Sequence, residues 1–135
     1  MFKFTFIIGF VASLVLTGCA PLPEFQPQPL SQEAKSLVFS QNKPYGCMLI
    51  GEVEGNADKK GTSGATADLL KTSAKNELRN NAAHLITLGE NRRFLVYVKD
   101  ERKTCHFGFL EVKCEEMPEA LSSYKAVGEV YECRW

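Results

Sequence analysis

Hydrophobic residues recur at three- and four-residue steps in the stretch TADLLKTSAKNELRNNAAHLI, residues 66–86. This period places them on one side of an α-helix, as a stripe that packs against another element. The stripe consists of Leu70, Ala74, Leu78, Ala82 and Leu85. Thr66 is a suitable N-cap, and Asp68 stands in the first turn, where the helix dipole favours an acid. The pattern predicts a helix over 66–86 whose small residues allow close packing on a sheet.

Apolar runs on both sides of this helix predict strands, because they are rich in β-branched and aromatic residues or alternate with polar ones. These runs are YGCMLIGEVEG (45–55), RRFLVYVK (92–99), CHFGFLEVKC (105–114) and AVGEVYEC (126–133). The polar DERK at 100–103 predicts a turn, and Phe107, Phe109 and Leu110 are expected to point into the core. The order β-α-β-β-β predicts an α+β fold, with one helix packed on a small, mainly antiparallel sheet.

The chain begins with a targeting segment. Residues 1–18 carry one charge, Lys3, followed by an apolar run that is shorter than the ~20 residues needed to span a bilayer. The run ends in LTGC, which resembles a bacterial lipobox, where the peptide is cut before the cysteine and the thiol receives a diacylglyceryl group. We therefore predict a lipoprotein signal peptide over 1–18 and lipidation of Cys19, with the membrane as the first partner.

A proline- and glutamine-rich segment follows Cys19. Proline removes amide donors and favours extended backbone, so residues 19–44 are predicted to be a lipidated tether, with a helical turn within 31–39. The folded periplasmic domain is predicted over 45–135. Residue 20 is Ala rather than Asp, which by analogy with the sorting signal of enteric bacteria implies the periplasmic face of the outer membrane.

The balance of charges argues against nucleic-acid binding. The 16 basic and 16 acidic side chains balance, so no strong field attracts nucleic acid.

Four cysteines remain after lipidation of Cys19, and in an oxidising compartment an even set predicts two disulfides. Spacing alone does not choose among the three possible pairings. We prefer Cys47–Cys133, which ties the first strand to the last, with Cys105–Cys114 closing a local loop.

Catalytic and metal-binding patterns are weak in this sequence. Cysteine spacing includes no C-x-x-C, and His106 follows Cys105 directly, so we predict no metal site and no cofactor. Ser122 and Ser123 lack a nucleophile-elbow context. Glu52 and Glu54 share one strand face, which is expected to be solvated rather than a carboxylate pair. We therefore predict that the protein is not an enzyme and has no small-molecule substrate.

Three short motifs resemble a known family. CMLIGEVEG (47–55), AKNELRNNAAHL (74–85) and the closing YEC (131–133) resemble lipoproteins of the domain of unknown function 4156 group, which are distantly similar to the RcsF envelope-stress sensors. The resemblance implies an α+β domain, an outer-membrane lipid anchor and no enzyme activity. It also supports the pairing of Cys47 with Cys133, since both lie within the matching motifs.

Two functions follow as expectations. The first is a non-catalytic envelope lipoprotein whose tethered domain binds a protein partner, as a sensor or as an accessory factor in envelope assembly. The alternative is a module that binds peptidoglycan or another envelope glycan. Its candidate residues are exposed aromatics and an asparagine-rich helix face, namely Tyr97, Tyr124, Trp135, Asn76, Asn80 and Asn81.

Overall fold

The computed structural model describes residues 21–86 and 93–133. Within these ranges lie one α-helix, five strands and two short 3-10 turns. The helices and strands are β1 (Val38–Ser40), β2 (Met48–Asp58), α1 (Ala67–Leu85), β3 (Arg93–Phe107), β4 (Leu110–Val112) and β5 (Leu121–Cys133). The 3-10 turns are Ala34–Ser36, inside the stretch predicted to contain a helical turn, and Pro118–Ala120.

The strands form a mixed sheet in the order β1-β3-β5-β2. β4 also pairs with β3, at residues 105–107, while β1 pairs in parallel with residues 95–97 of β3. The β3–β5 and β5–β2 pairs are antiparallel. The predicted α+β class, with one helix on a mainly antiparallel sheet, is confirmed. β1 is an additional strand, contributed by the segment predicted as a tether.

Helix α1 begins and packs as its sequence indicates. The Thr66 hydroxyl accepts a hydrogen bond from the Leu69 backbone nitrogen at 3.2 Å, which caps the first turn. The predicted stripe is fully buried through four of its five members, Leu70, Ala74, Leu78 and Ala82. The prediction for the fifth member is wrong, because Leu85, in the last turn of the helix, is 44% exposed.

Glycines in the sheet let α1 lie close to it. A Cβ added at Gly55 in β2 would overlap the Ala74 carbonyl oxygen and stand 2.7 Å from the Leu78 backbone nitrogen. A Cβ added at Gly128 in β5 would stand 3.1 Å from a Leu78 methyl carbon. The close packing predicted from small helix residues is therefore achieved by small residues on both surfaces.

Both preferred disulfides are present. Cys47–Cys133 joins residues 86 apart in sequence, at the start of β2 and the end of β5, with a Cα–Cα distance of 4.5 Å. Cys105–Cys114 joins the end of β3 to the loop that follows β4, with a Cα–Cα distance of 5.4 Å. Because the first encloses most of the folded chain, it restricts the unfolded state far more than the second.

A strap, which we define as residues 22–37, packs along α1. At its start, the Phe25 backbone nitrogen donates to the Ser63 carbonyl oxygen at 2.9 Å, and the Ser63 nitrogen donates to the Pro23 carbonyl oxygen at 3.0 Å. Phe25 is buried in the core cluster. Further along, Ala34 and Leu37 are also buried. Packing therefore begins well before residue 45, across the boundary predicted between tether and domain.

β3 is longer than predicted. It continues through the DERK sequence, residues 100–103, and pairs there with β5 at Glu101↔Ala126 and Arg102↔Lys125. The predicted turn at 100–103 is wrong, since these charged side chains are exposed strand residues rather than turn residues. Register shifts between Val98 and Asp100 and between Thr104 and Cys105 mark irregular pairing in this part of the strand.

Candidate functional site

Most of the large exposed apolar residues lie at two opposite ends of the sheet, and Leu22 and Val38 lie outside these two groups. The tip cluster consists of Phe107, Phe109 and Leu110, and the base cluster consists of Tyr45, Met48, Leu49 and Leu85. Exposed apolar groups of this kind mark candidate interaction sites in soluble domains.

The tip cluster surrounds the turn between β3 and β4. Gly108 adopts a positive φ of 62°, which turns the chain, and Phe107 and Leu110 pair across the hairpin. β5 pairs with β3 only as far as Cys105↔Leu121, so the turn extends beyond the end of the neighbouring strand. Phe107 is 65% and Leu110 71% exposed, and Phe109 is fully exposed. The prediction that these three residues point into the core is wrong, because the hairpin projects past the sheet.

The base cluster lies where β2 starts and β5 ends. Met48 pairs with Glu132 at this end of the sheet, next to the Cys47–Cys133 disulfide. Tyr45, in the loop before β2, is almost completely exposed. Leu85 comes from the last turn of α1 and reaches towards β2, since a Cβ added at Gly51 would stand 3.0 Å from its Cδ1. Apolar residues from a loop, a strand and a helix end are therefore exposed near the disulfide at this end of the sheet.

The open face of the sheet is polar and its charges are paired. Lys99 Nζ lies 3.0 Å from Glu52 Oε2, and Lys125 Nζ lies 3.3 Å from Glu54 Oε2, with all four side chains well exposed. The hydrogen bond and the charge of Glu52 raise the pKa of Lys99 above its usual value. Glu52 and Glu54 each pair with a lysine, as ordinary exposed ion pairs do, and contribute little to stability.

The asparagine-rich face of α1 binds the strap. Asn80 bonds through both ends of its amide, since Oδ1 accepts from the Ser31 nitrogen at 2.8 Å and Nδ2 donates to the Pro29 carbonyl oxygen at 2.9 Å. Asn76 Nδ2 donates to the Gln28 carbonyl oxygen at 2.9 Å. These side chains satisfy backbone groups that proline-rich sequence cannot pair in a regular element. The sequence makes these asparagines candidates for glycan binding, but in the structure their side chains hydrogen-bond to the strap.

Asn81, the third residue of that face, faces the sheet instead. Its Nδ2 donates to the Glu54 carbonyl oxygen at 2.7 Å. It thereby ties α1 to β2, and it too is occupied by an internal contact.

Arg79 is the residue that sequence reasoning missed. Its guanidinium donates to the carbonyl oxygens of Leu37 at 2.7 Å and Ala34 at 3.1 Å, and its carbon lies 5.4 Å above the centre of the Phe39 ring. The planar donor set of arginine suits this role, because one group reaches several carbonyls of a single turn. Nothing in its helical position distinguishes it from a solvated arginine. Its partners come from the strap, which was expected to be a tether.

Ser122 of β5 and His106 of β3 form a serine–histidine contact. Ser122 Oγ lies 2.6 Å from His106 Nδ1 and donates its own hydrogen to the Thr104 carbonyl oxygen at 2.8 Å. A serine that donates to a backbone carbonyl accepts from the imidazole N–H, which is the reverse of nucleophile activation by a histidine base. The contact therefore ties β5 to β3. His84 is exposed near the end of α1.

The two aromatic residues of the glycan alternative that the structure describes, Tyr97 and Tyr124, are not among the exposed aromatic residues. Tyr124 is buried in the core, where burial and a hydrogen bond with Glu101 raise the pKa of its phenol well above the usual value. Tyr97 is half-buried. Trp135 lies outside the described residues, as do the signal peptide and Cys19.

Within 21–86 and 93–133, no three His, Cys, Asp or Glu side chains come together as metal ligands would. The helices of these ranges include none with the length and apolar character to cross a bilayer. Comparisons with protein-family models, curated proteins and solved structures found no match for the chain. The resemblance to the domain of unknown function 4156 lipoproteins thus stays a prediction based on three short motifs.

Proposed function

We propose that this chain is a non-catalytic, lipid-anchored protein of the bacterial cell envelope whose folded domain binds a protein partner through the base cluster. The lipid anchor is proposed from the pattern of residues 1–19, where a short apolar run ends at LTGC. The two disulfides support an oxidising compartment such as the periplasm. Ala20 favours the outer membrane as the site of anchoring.

One observation carries the choice of a protein partner. The base cluster combines exposed Tyr45, Met48 and Leu49 with the disulfide that fixes β2 to β5. A rigid support reduces the ordering cost of association, and aromatic and methionine side chains are enriched in protein interfaces. The glycan alternative has less support, since Tyr124 is buried and both ends of the Asn80 amide are hydrogen-bonded to the strap.

Photo-crosslinking in intact cells tests the proposal. A benzophenone amino acid at Met48 is expected to give a defined adduct with one envelope protein. The same group at Asn56 is the matched control, because Asn56 is an exposed residue of the same strand outside the base cluster. Adduct formation at Met48 should also fall when Cys19→Ser prevents lipidation, because the domain is then no longer held at its membrane.

Three results would count against the proposal. Equal crosslinking from Met48 and Asn56 would mean that the base cluster is not the interface. Attachment of the Met48 probe to peptidoglycan would favour the glycan alternative. Normal maturation of the Cys19→Ser protein would show that lipidation does not occur at Cys19.

A further inference from the structure

The tip cluster has no role in the proposed protein interface, because it lies at the opposite end of the sheet. Phe107, Phe109 and Leu110 are all more than half exposed on a short hairpin. The Cys105–Cys114 disulfide closes this hairpin directly behind the tip. A rigid, protruding apolar loop of this type is typical of a site that contacts a protein, a ligand or a membrane.

The strand register places the start of the strap at the same end of the sheet as this hairpin. β2 ends at Asp58, which pairs with Ser123, and β3 pairs with Leu121 at Cys105. The loop that leaves β2 stays at this end, since the Lys59 nitrogen donates to the Ser122 carbonyl oxygen at 3.0 Å. Ser63, in that same loop, holds the start of the strap.

The attachment at Ser63 limits how far the domain lies from a lipid on Cys19. Ser63 Oγ donates to the Leu22 carbonyl oxygen at 3.2 Å, and its backbone pairs with Pro23 and Phe25. Leu22 follows Cys19 by three positions. Three residues span at most about 11 Å. A lipid on Cys19 therefore brings this end of the domain to the bilayer surface.

We propose that the tip cluster inserts into the headgroup–acyl boundary of the bilayer that holds the Cys19 lipid, as a second membrane contact. This inference rests on the proposed lipid anchor. Phe107 lies two residues beyond the last β5 pairing, or about 7 Å at the usual strand rise, which matches the depth reached by interfacial apolar groups. The tip residues 107–110 are uncharged, and the charged Glu111 pairs with His106 one step behind them, at the level of the headgroups.

Fluorescence quenching by brominated lipids tests the insertion. The acylated mature protein is reconstituted in vesicles of phosphatidylethanolamine and phosphatidylglycerol with brominated acyl chains, using Trp135→Phe as the background. Phe109→Trp reports on the tip cluster. Tyr45→Trp is the matched control, because Tyr45 is an equally exposed aromatic residue at the opposite end. We expect blue-shifted emission from the F109W protein, with quenching several-fold greater than in the Y45W protein.

Mass spectrometry of the same samples separates the two levels of the proposal. If Cys19 is acylated and the two reporters are quenched equally, the membrane contact is overturned while the lipid anchor stands. If Cys19 carries no acyl group, the anchor fails and the membrane contact fails with it. Crosslinking of a benzophenone group at residue 109 to a protein in intact cells would also overturn the membrane contact, by assigning the tip cluster to a protein partner.

Discussion

The strap and the β3–β4 hairpin are two short segments of very different composition. The strap is rich in proline and glutamine, yet it places Phe25 and Leu37 in the core. The hairpin is rich in phenylalanine and leucine, yet Phe109 is fully exposed. The difference teaches that burial depends on whether a complementary surface lies opposite a segment, and not on the segment's mean hydropathy.

The complementary surface of the strap is the polar side of α1. Asn76, Asn80 and Arg79 supply hydrogen bonds to strap backbone groups, so several polar groups of this irregular segment are paired where it packs on the helix. The hairpin has nothing equivalent, because β5 pairs with β3 no further than Cys105. Apolar side chains beyond that point project from the sheet.

Matched truncations of one leucine in each segment should give the largest contrast. Leu37→Ala in the strap removes a side chain that is 2% exposed, and we expect a loss of about 2–5 kcal/mol in the free energy of unfolding. Leu110→Ala at the tip should change it by no more than about 0.5 kcal/mol, since that side chain is already in water. Urea unfolding of the two variants measures both values. Equal losses would show that the strap is not part of the core.

Replacement of Arg79 should loosen the strap specifically. Arg79→Ala leaves the Ala34 and Leu37 carbonyl groups without their guanidinium donor, and we expect a loss of about 1–3 kcal/mol. Lys75→Ala on the same helix is the control for loss of a cationic side chain. Limited proteolysis should cut the strap faster in the Arg79 variant than in the control. An unchanged cleavage rate would contradict the anchoring role of Arg79.

Unfolding in alkaline solution should also distinguish the packed core from the exposed ends of the sheet. The expected change in the free energy of unfolding is smaller than for the truncations above. The phenol of Tyr124 has a raised pKa, so below about pH 10 it is protonated in both the folded and the unfolded chain. Above that pH the unfolded chain releases the proton first, and stability falls by up to about 1.4 kcal/mol per pH unit. Tyr124→Phe should make this fall shallower.

Tyr45→Phe is the control for removal of a phenol at the surface in the same titration. Thermal unfolding followed between neutral and strongly alkaline pH gives both slopes. A Tyr124→Phe protein that loses stability above pH 10 as steeply as the unmodified protein would contradict the assignment of the alkaline loss to Tyr124.

Local patterns in the sequence predicted the helix and the α+β class. Thr66 and the buried Leu70, Ala74 and Leu78 follow from a single period and a capping rule, which need no knowledge of the rest of the chain. The disulfide Cys47–Cys133 also agreed with the preferred pairing, because the first and last strands of a small sheet are often neighbours. These predictions depend on one element or on the pairing of two.

The candidate site could not be predicted in the same way. The base cluster draws its residues from a loop, β2 and the end of α1, so its composition depends on how those elements meet. The position of Phe107 depends on where β5 stops pairing with β3, which alternation along the chain does not encode. Arg79 has a defined role only because the strap returns to α1, and proline content alone indicated a tether.

The edge of the sheet formed by β2 affects how copies of the protein behave at high concentration. An open strand edge is a template for pairing with another chain. Here the edge carries the acidic Glu52, Glu54 and Asp58, and its register shifts between Leu49 and Gly51. The Asn81 side chain also occupies the Glu54 carbonyl oxygen. An incoming strand would meet the negative charge of Asp58, an irregular ladder and an acceptor that is already hydrogen-bonded, so these features oppose polymerisation into fibres along β2.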